Sequence, residues 1–505
     1  MSETGGVRNL PPRAGAMVEA LRGLGYSVEA ALADIVDNSI SAEATEVRID
    51  FAWAGAASRI AIIDNGFGMN DGELERAMQL GAKSPLDARD PQDLGRFGMG
   101  LKTASFSHCR SLTVASVKNS SAACLRWDLD ALSANPAGGW LLFEGPQPGS
   151  ESFLSPLTNE RSGTMVLWEK LDRIVTAGYT SGDFSEVIDR VNTHFSMVFH
   201  RLLDGPKPRL RILLNGQPVL AWDPFMVGHP AKPWASPVAR INTSSGPVEM
   251  ECHVLPHKDR ISQREFDGAA GPNGWNAQQG FYVYRNKRLL VAGGWLGLGQ
   301  GRTWNREESH RLARIRLDIK NSADAEWKID VRKSTARPPV ALKPWLMRLA
   351  EDTRNRARRV FAYRGTPVAR VGSAPLEQAW RVDHTKSGMR YQIDERHPAI
   401  SAVLELSAEH RPLVEAMLRV IEETVPVQRI WLDTAENKET PRTSFAGEPT
   451  AAVLGFLNTF FKDMVGRRGM SAEAARRQLL VTEPFQNFPE LVASLSVANP
   501  LATDA

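Results

Sequence analysis

The sequence predicts an α+β protein in three parts, and three observations carry that reading. Helical and strand periodicities alternate up to residue 205, strand-and-turn patterning takes over to about 340, and helical periodicity returns from 342 onward. The 505 residues exceed the ~250–300 at which a single core stops growing, so several domains are expected. We place them at 1–205, 206–370 and 371–505, the last boundary falling in a Pro/Gly/Ser break at 365–375.

In chain order, 12–26 and 27–42 read as helices, and 47–51 and 59–63 as strands with alternating apolar residues. A Gly/Pro/Ser-rich stretch at 144–163 precedes a strand at 164–168, and a helix follows at 183–203. Residues 209–220 read as a hairpin around Asn215-Gly216, and 281–291 as a second around Asn286, because such dipeptides accept the positive φ of tight hairpin turns. A strand at 313–319 and a helix at 342–361 complete the second part, and the third is mostly helical.

Lys plus Arg at 61 against Asp plus Glu at 58 excludes a histone-like chain and an acidic disordered one. Hydrophobic residues at 42% allow a large core. The separated cysteines Cys109, Cys124 and Cys252 offer neither a disulfide framework nor a four-ligand zinc site, so a reducing cytoplasm is expected. The start has no signal-peptide pattern, and no apolar run is long enough for a membrane span.

Three local patterns carry chemistry. On the helix at 27–42, Leu32, Ile35, Val36 and Ile40 form an apolar stripe, while Asp34, Asp37, Asn38 and Ser41 form a polar one. That second stripe suits either a solvated face or a hydrated Mg²⁺. Asp64-Asn-Gly66-Phe-Gly68-Met69 follows a strand, where an acid and alternate glycines let backbone approach a ligand and the carboxylate accept from an exocyclic amine. Gly95-Arg-Phe-Gly98-Met-Gly100-Leu-Lys102-Thr103 is suited to wrap polyphosphate, with a helix opening behind it. It is neither a Walker A nor a dinucleotide fingerprint.

Taken in order, Asp34-x-x-Asp37-Asn38, Asp64-x-Gly66-x-Gly68, Gly95-x-x-Gly98-x-Gly100-x-Lys102 and Ser162-Gly163-Thr164 resemble the N box, two glycine boxes and Gly-Thr motif of the gyrase–chaperone–histidine kinase–MutL (GHKL) ATPases. The resemblance implies a two-layer α/β sandwich of the Bergerat type, followed by a β-rich, ribosomal-S5-like transducer. It implies ATP and Mg²⁺ as cofactors, with Asn38 on the metal and Asp64 on the adenine amine, within a loop that includes Gly66, Gly68 and Met69. Thr164 would support Asp64 through water, and Gly95, Gly98, Gly100, Lys102 and Thr103 would surround the phosphates. The water-activating residue is usually Glu. Asp34 here is one methylene shorter, so slow hydrolysis is expected. Ser41 stands where many relatives carry an acid, which weakens any role there.

No His precedes His108, which disfavours a sensor kinase. Tyr284-Arg-Asn-Lys-Arg288-Leu-Leu resembles the second-domain hairpin of MORC proteins, and Glu326 to Ser334 resembles the element from which MORC and MutL relatives offer a lysine to the γ-phosphate. Lys333 is the leading choice, ahead of Lys320 and Lys328. A bacterial MORC-like protein is implied, in which ATP closes a homodimer, in a restriction–modification or anti-phage setting. A nuclease, helicase or methyltransferase is the partner implied by that setting.

Residues 331–370 carry eleven Lys/Arg against only Glu351 and Asp352, which points to DNA phosphates or to acidic partners within the fold. Trp295, Trp304 and Trp327 suit base stacking or core packing, and Cys252-His253 with His257 lacks a fourth metal ligand. The reading is a slow ATPase serving as a nucleotide-gated clamp on DNA. The alternatives are a non-hydrolysing ATP-gated scaffold and a chaperone-like ATPase.

Overall fold

The structure, a computed structural model, describes residues 12–23, 25–81, 100–135, 137–158, 160–324, 326–330, 333, 335–362, 377–385, 388–405, 410–427, 430, 451–483 and 485–496. The chain forms two compact units, Met1–Ala362 and Tyr363–Ala505.

The first unit contains two sheets. The larger is built from β1 Glu46–Ala52, β2 Arg59–Asp64, β3 Ser111–Lys118, β4 Ser121–Asp128, β5 Phe143–Glu144, β6 Gly163–Glu169, β7 Arg211–Leu214 and β8 Gln217–Pro218, in the order β5-β4-β3-β6-β2-β1-β7-β8. Its helices are α1 Ala14–Arg22, α2 Val28–Ser41, α3 Asp71–Met78, α4 Gly100–Phe106, α5 Leu129–Ala134, α6 Ser155–Thr158, α7 Ser181–Val198 and α8 His200–Leu203.

The period-2 alternation of the strands decides which residues meet which layer. Ile60, Ile62, Val166 and Trp168 join Leu32 and Val36 of α2 and Val191 and Phe195 of α7 in the main core. Ile63, Ala115, Val117 and Met165 point the other way, onto a smaller cluster with Leu157. This is the two-layer α/β sandwich. Helix starts are fixed by side chains that accept orphan amides: Ser27 Oγ takes the Ala30 N–H at 3.4 Å, and Asn70 and Glu73 form a reciprocal capping box at 2.9 Å on α3.

The Asn215-Gly216 hairpin departs from the expected domain boundary. β7 pairs in parallel with β1, from Glu46↔Arg211 to Ile49↔Leu214, and the Asn215 carboxamide accepts the Phe51 N–H at 2.7 Å. The first sheet therefore extends past residue 205 to Pro218.

The second sheet contains β9 Trp234–Ala235, β10 Ala239–Thr243, β11 Gly246–Val254, β12 Gly280–Arg285, β13 Arg288–Ala292 and β14 Ala313–Ile319, in the order β10-β11-β14-β12-β13 with β9 against β11. Helices α9 Gln263–Ala270 and α10 Gly274–Gln278 precede β12, and α11 Lys343–Ala362 lays Leu346, Ala350 and Ala357 on the core of this sheet. The β12–β13 turn has φ of 48° at Asn286 and 69° at Lys287, the two consecutive positive values of a tight hairpin.

Part of the basic segment has partners within the fold. Arg354 is buried with its guanidinium 4.6 Å from both the Trp295 and Trp304 ring centroids. Arg356 pairs with Asp352 at 2.9 Å and lies over Trp234. Trp295 and Trp327 are core residues. Arg332, Arg364 and Arg370 lie outside the described residues.

The second unit has its own core, with Leu457, Phe460, Phe461, Leu479, Phe485 and Val492 at its centre. Besides helices Pro398–Leu404, Arg411–Thr424, Ala451–Lys462, Ala472–Leu480 and Pro489–Ser494 it contains an antiparallel hairpin, Trp380–Thr385 with Gly388–Ile393. Among the described residues no helix is long and apolar enough to cross a membrane, and no group of three or more His, Cys, Asp or Glu is placed to hold a metal ion.

Candidate functional site

The site grows from α2, whose apolar stripe is buried and whose polar stripe is buried at its two acids, which a solvated face would not show. The apolar stripe enters the main core. On the polar stripe Asp34 is 5% exposed and Asp37 only 1%, while Asn38 is exposed and its side chain makes no hydrogen bond among the described residues. Ser41 donates to the Asp37 carbonyl at 3.0 Å, so its hydroxyl serves the helix itself.

Two buried carboxylates one turn apart require cations, and the second sheet and the loop after it supply them. Lys333 Nζ donates to Asp34 Oδ1 at 3.0 Å and to Asp37 Oδ2 at 2.5 Å. Arg288, the first residue of β13, donates from Nε to Asp37 Oδ1 at 3.2 Å, and its nearest nitrogen lies 4.0 Å from Asp34 Oδ1. Burial alone would raise the Asp37 carboxyl, but the charges of Arg288 and Lys333 outweigh it and hold the group below its ordinary value. The loop that presents Lys333 is tied locally: its N–H bonds to the Asp330 carbonyl at 3.0 Å, and its φ of 53° is left-handed. On the other side of Asp34, the Tyr26 hydroxyl donates to Oδ2 at 3.0 Å.

Asp64 ends β2 between two neighbours, paired with Val47 of β1 and Thr164 of β6. Its Oδ1 accepts the Gly66 N–H at 2.9 Å and its Oδ2 the Ser39 hydroxyl at 2.8 Å. Burial raises this carboxyl, and the Gly66 amide, the Ser39 hydroxyl and the Thr164 backbone oppose the rise. The Thr164 hydroxyl meets Ser116 Oγ at 2.9 Å, and Ser116 also accepts the Met69 N–H at 2.8 Å, so the turn holding Met69 is pinned to the sheet. Gly68 has a φ of +67°, and a Cβ there would sit 1.9 Å from the Val117 carbonyl oxygen. Gly66 is similarly confined by Ala42.

Of the glycine-rich segment, Gly95 and Gly98 lie outside the described residues. Gly100 opens α4, and a Cβ on it would stand 4.0 Å from Asp34 Oδ2, which puts this helix start beside the acid. Lys102 is buried and donates to the Ala77 and Gln79 carbonyls, at 2.8 and 3.0 Å, at the C-terminal end of α3. Burial lowers its ammonium to about 8. Thr103 is fully buried on the same helix.

Asp34, Asp37, Asn38 and Lys333 thus come together, and Asp64, Gly66, Gly68, Met69 and Thr164 form a second group joined to α2 through Ser39. Sequence reasoning gave no role to Tyr26, Ser39, Ser116 or Arg288. Arg288 stood within a stretch noted for its hairpin pattern, and Asp37 within the polar stripe. Tyr26 and Ser39 had no signal beyond proximity to that stripe.

Residues 26–164 match the family model of the histidine kinase-, DNA gyrase B- and HSP90-like ATPases. The match spans the second group and the α2 members of the first, but not Lys333. With the two-layer sandwich it defines this part of the chain as a GHKL-type ATPase domain, that is, an ATP-binding domain. The donor set fits the nucleotide: a carboxylate fixed by two donors for the adenine amine, an exposed carboxamide on α2 for Mg²⁺, and a buried acid facing a lysine.

Proposed function

We propose that the protein is a Mg²⁺-dependent, slow ATPase of MORC/MutL-like organisation, in which nucleotide controls the engagement of a lysine from outside the ATPase domain. The observation that carries this is the position of Lys333, whose ammonium meets both Asp34 and Asp37. Asp64 would hold the adenine, Asn38 the Mg²⁺, and Asp34 would take the proton of the attacking water. Mg²⁺ when bound would neutralise phosphate charge. Lys333 would supply positive charge where negative charge develops on the γ-phosphate, and a nucleotide preferring that arrangement would stabilise it by linkage. Dimer closure is the mode of action that this class suggests.

For a clamp on DNA the support is narrower than the segment's charge implies. On α11, Arg348, Arg358 and Arg359 are exposed, and they are the arginines this reading would set against phosphates. The test is turnover with and without DNA for wild type, Asp34→Ala and Lys333→Ala, with sedimentation at saturating Mg·ATP. Turnover lost in both variants, with an ATP-dependent dimer that retains DNA at low salt, is the expected result. A monomer that ignores DNA ends the clamp.

One observation favours the non-hydrolysing scaffold: both oxygens of Asp34 are already engaged, by Lys333 and Tyr26. Tight ATP binding without turnover in wild type would select it, with a nuclease, helicase or methyltransferase as the recruited partner.

A further inference from the structure

We infer that Tyr26 is a positioning residue for ATP hydrolysis, joining the helix behind the phosphate loop to the acid at position 34. The inference rests on the ATPase reading above and adds to it a residue outside the four motifs. Tyr26 is buried just before α2, and its hydroxyl donates to Asp34 Oδ2 at 3.0 Å. The Thr103 side chain on α4, whose hydroxyl also donates to the Gly100 carbonyl at 3.5 Å, is close enough to interact with that same hydroxyl. Thr103 follows directly on the glycine-rich segment, so the contact runs from the predicted phosphate lid, through Tyr26, to Asp34.

The geometry gives the two oxygens of Asp34 different tasks. Oδ2 is occupied by Tyr26 and lies next to the start of α4. Oδ1 is held by Lys333. When Lys333 moves to the γ-phosphate, Oδ1 is the oxygen left to accept a proton, because Tyr26 keeps Oδ2 engaged. A short aspartate with both oxygens loose would sample several orientations, and a base misplaced by one rotamer is out of hydrogen-bond reach of the water. A second consequence is communication. A displacement of α4 on nucleotide binding is felt at Asp34 through two hydroxyls, with no side chain of the second sheet involved.

The test uses the full chain. Tyr26→Phe removes one hydroxyl and keeps the ring, so kcat falls about tenfold, the worth of one hydrogen bond to a charged group, while the Kd for a non-hydrolysable ATP analogue changes less than about twofold. In an Asp34→Asn background the same substitution lowers kcat no further. Amide hydrogen exchange of α4 in the nucleotide-free protein rises in Tyr26→Phe, rises equally in Thr103→Val, and rises no more in the double variant. Wild-type kcat or wild-type exchange in Tyr26→Phe overturns the inference, as does an additive effect with Asp34→Asn. An active wild type with an unaffected Tyr26→Phe removes Tyr26 and leaves the ATPase reading standing, whereas a wild type without turnover at saturating Mg·ATP removes both.

Discussion

The ammonium of Lys333 lies 3.0 Å from Oδ1 of Asp34, across 299 positions of sequence. The oxygen with which the proposed base would take a proton is thus already engaged by a cation. The same lysine also reaches Asp37, so its departure leaves two buried carboxylates beside Arg288. The contact thus couples any movement of Lys333 to the state of the acid.

Lys333→Met is expected to destabilise the nucleotide-free protein, because it strands Asp34 in a buried site. Adding Asp34→Asn recovers much of the loss, since an amide does not need the cation. Urea unfolding of the two single variants and the double variant measures the coupling. Equal and additive losses would mean that the pair contributes nothing.

Arg288→Met is expected to cost about 3–5 kcal/mol, more than most surface changes, because Asp37 is 1% exposed and would keep Lys333 as its one ion-pair partner among the described residues. Asp37→Asn in the same chain brings most of it back. The pH dependence has a definite sign: Asp37 is held below its ordinary value, so its contribution is present above the unfolded carboxyl value and disappears as pH falls through the folded one. Wild type should lose stability in acid faster than Asp37→Asn, read by thermal unfolding from pH 7 downward.

How far these features can be read from sequence follows from the range of the forces involved. The stripe Asp34, Asp37, Asn38 is legible because helical periodicity is local. The burial of its two acids is not, since Arg288 and Lys333 come from 251 and 299 residues away. The hairpin at Asn215-Gly216 is legible from its turn, but its parallel pairing with β1 is a long-range choice that no local pattern encodes. Ser39 falls at helical spacing within the apolar stripe, four residues after Ile35, and its bond to Asp64 exists only because α2 packs over the end of β2.

Asp64→Asn is expected to abolish ATP binding, because an amide oxygen replaces a fixed carboxylate and an N–H₂ then faces the Gly66 amide or the Ser39 hydroxyl. Ser39→Ala removes a single donor and should weaken binding about tenfold, the effect of one hydrogen bond to a charged group. Calorimetric titration with ATP ranks the two. A Ser39→Ala chain that binds as tightly as wild type would remove Ser39 from the site.

Gly68→Ala is expected to be severe and Gly72→Ala mild. At Gly68 the backbone is left-handed and a Cβ would overlap the Val117 carbonyl, so the turn following Asp64 must move. At Gly72, in the first turn of α3, the nearest neighbour of a Cβ is the far end of Arg76 at 3.8 Å. The thermal midpoint should fall by several degrees in the first and change little in the second, and only the first should lose ATP affinity.

Lys102 supplies a prediction in the alkaline range. Its ammonium is lowered to about 8 by burial, from 10.5 in the unfolded chain, so between those values the unfolded state binds more protons than the folded one. Stability from this group therefore rises with pH across that window, the reverse of an ion-paired lysine. Below pH 8 the folded protein carries a buried charge that donates to the Ala77 and Gln79 carbonyls. Lys102→Met, which has no charge to bury, should compare most favourably with wild type at pH 7 and lose ground toward pH 10. Urea unfolding at the two pH values reads the difference. A gap that is constant with pH would show that the lysine titrates in the folded chain as it does in the unfolded one, and bound ATP, by giving the ammonium a phosphate partner, should reduce the pH dependence.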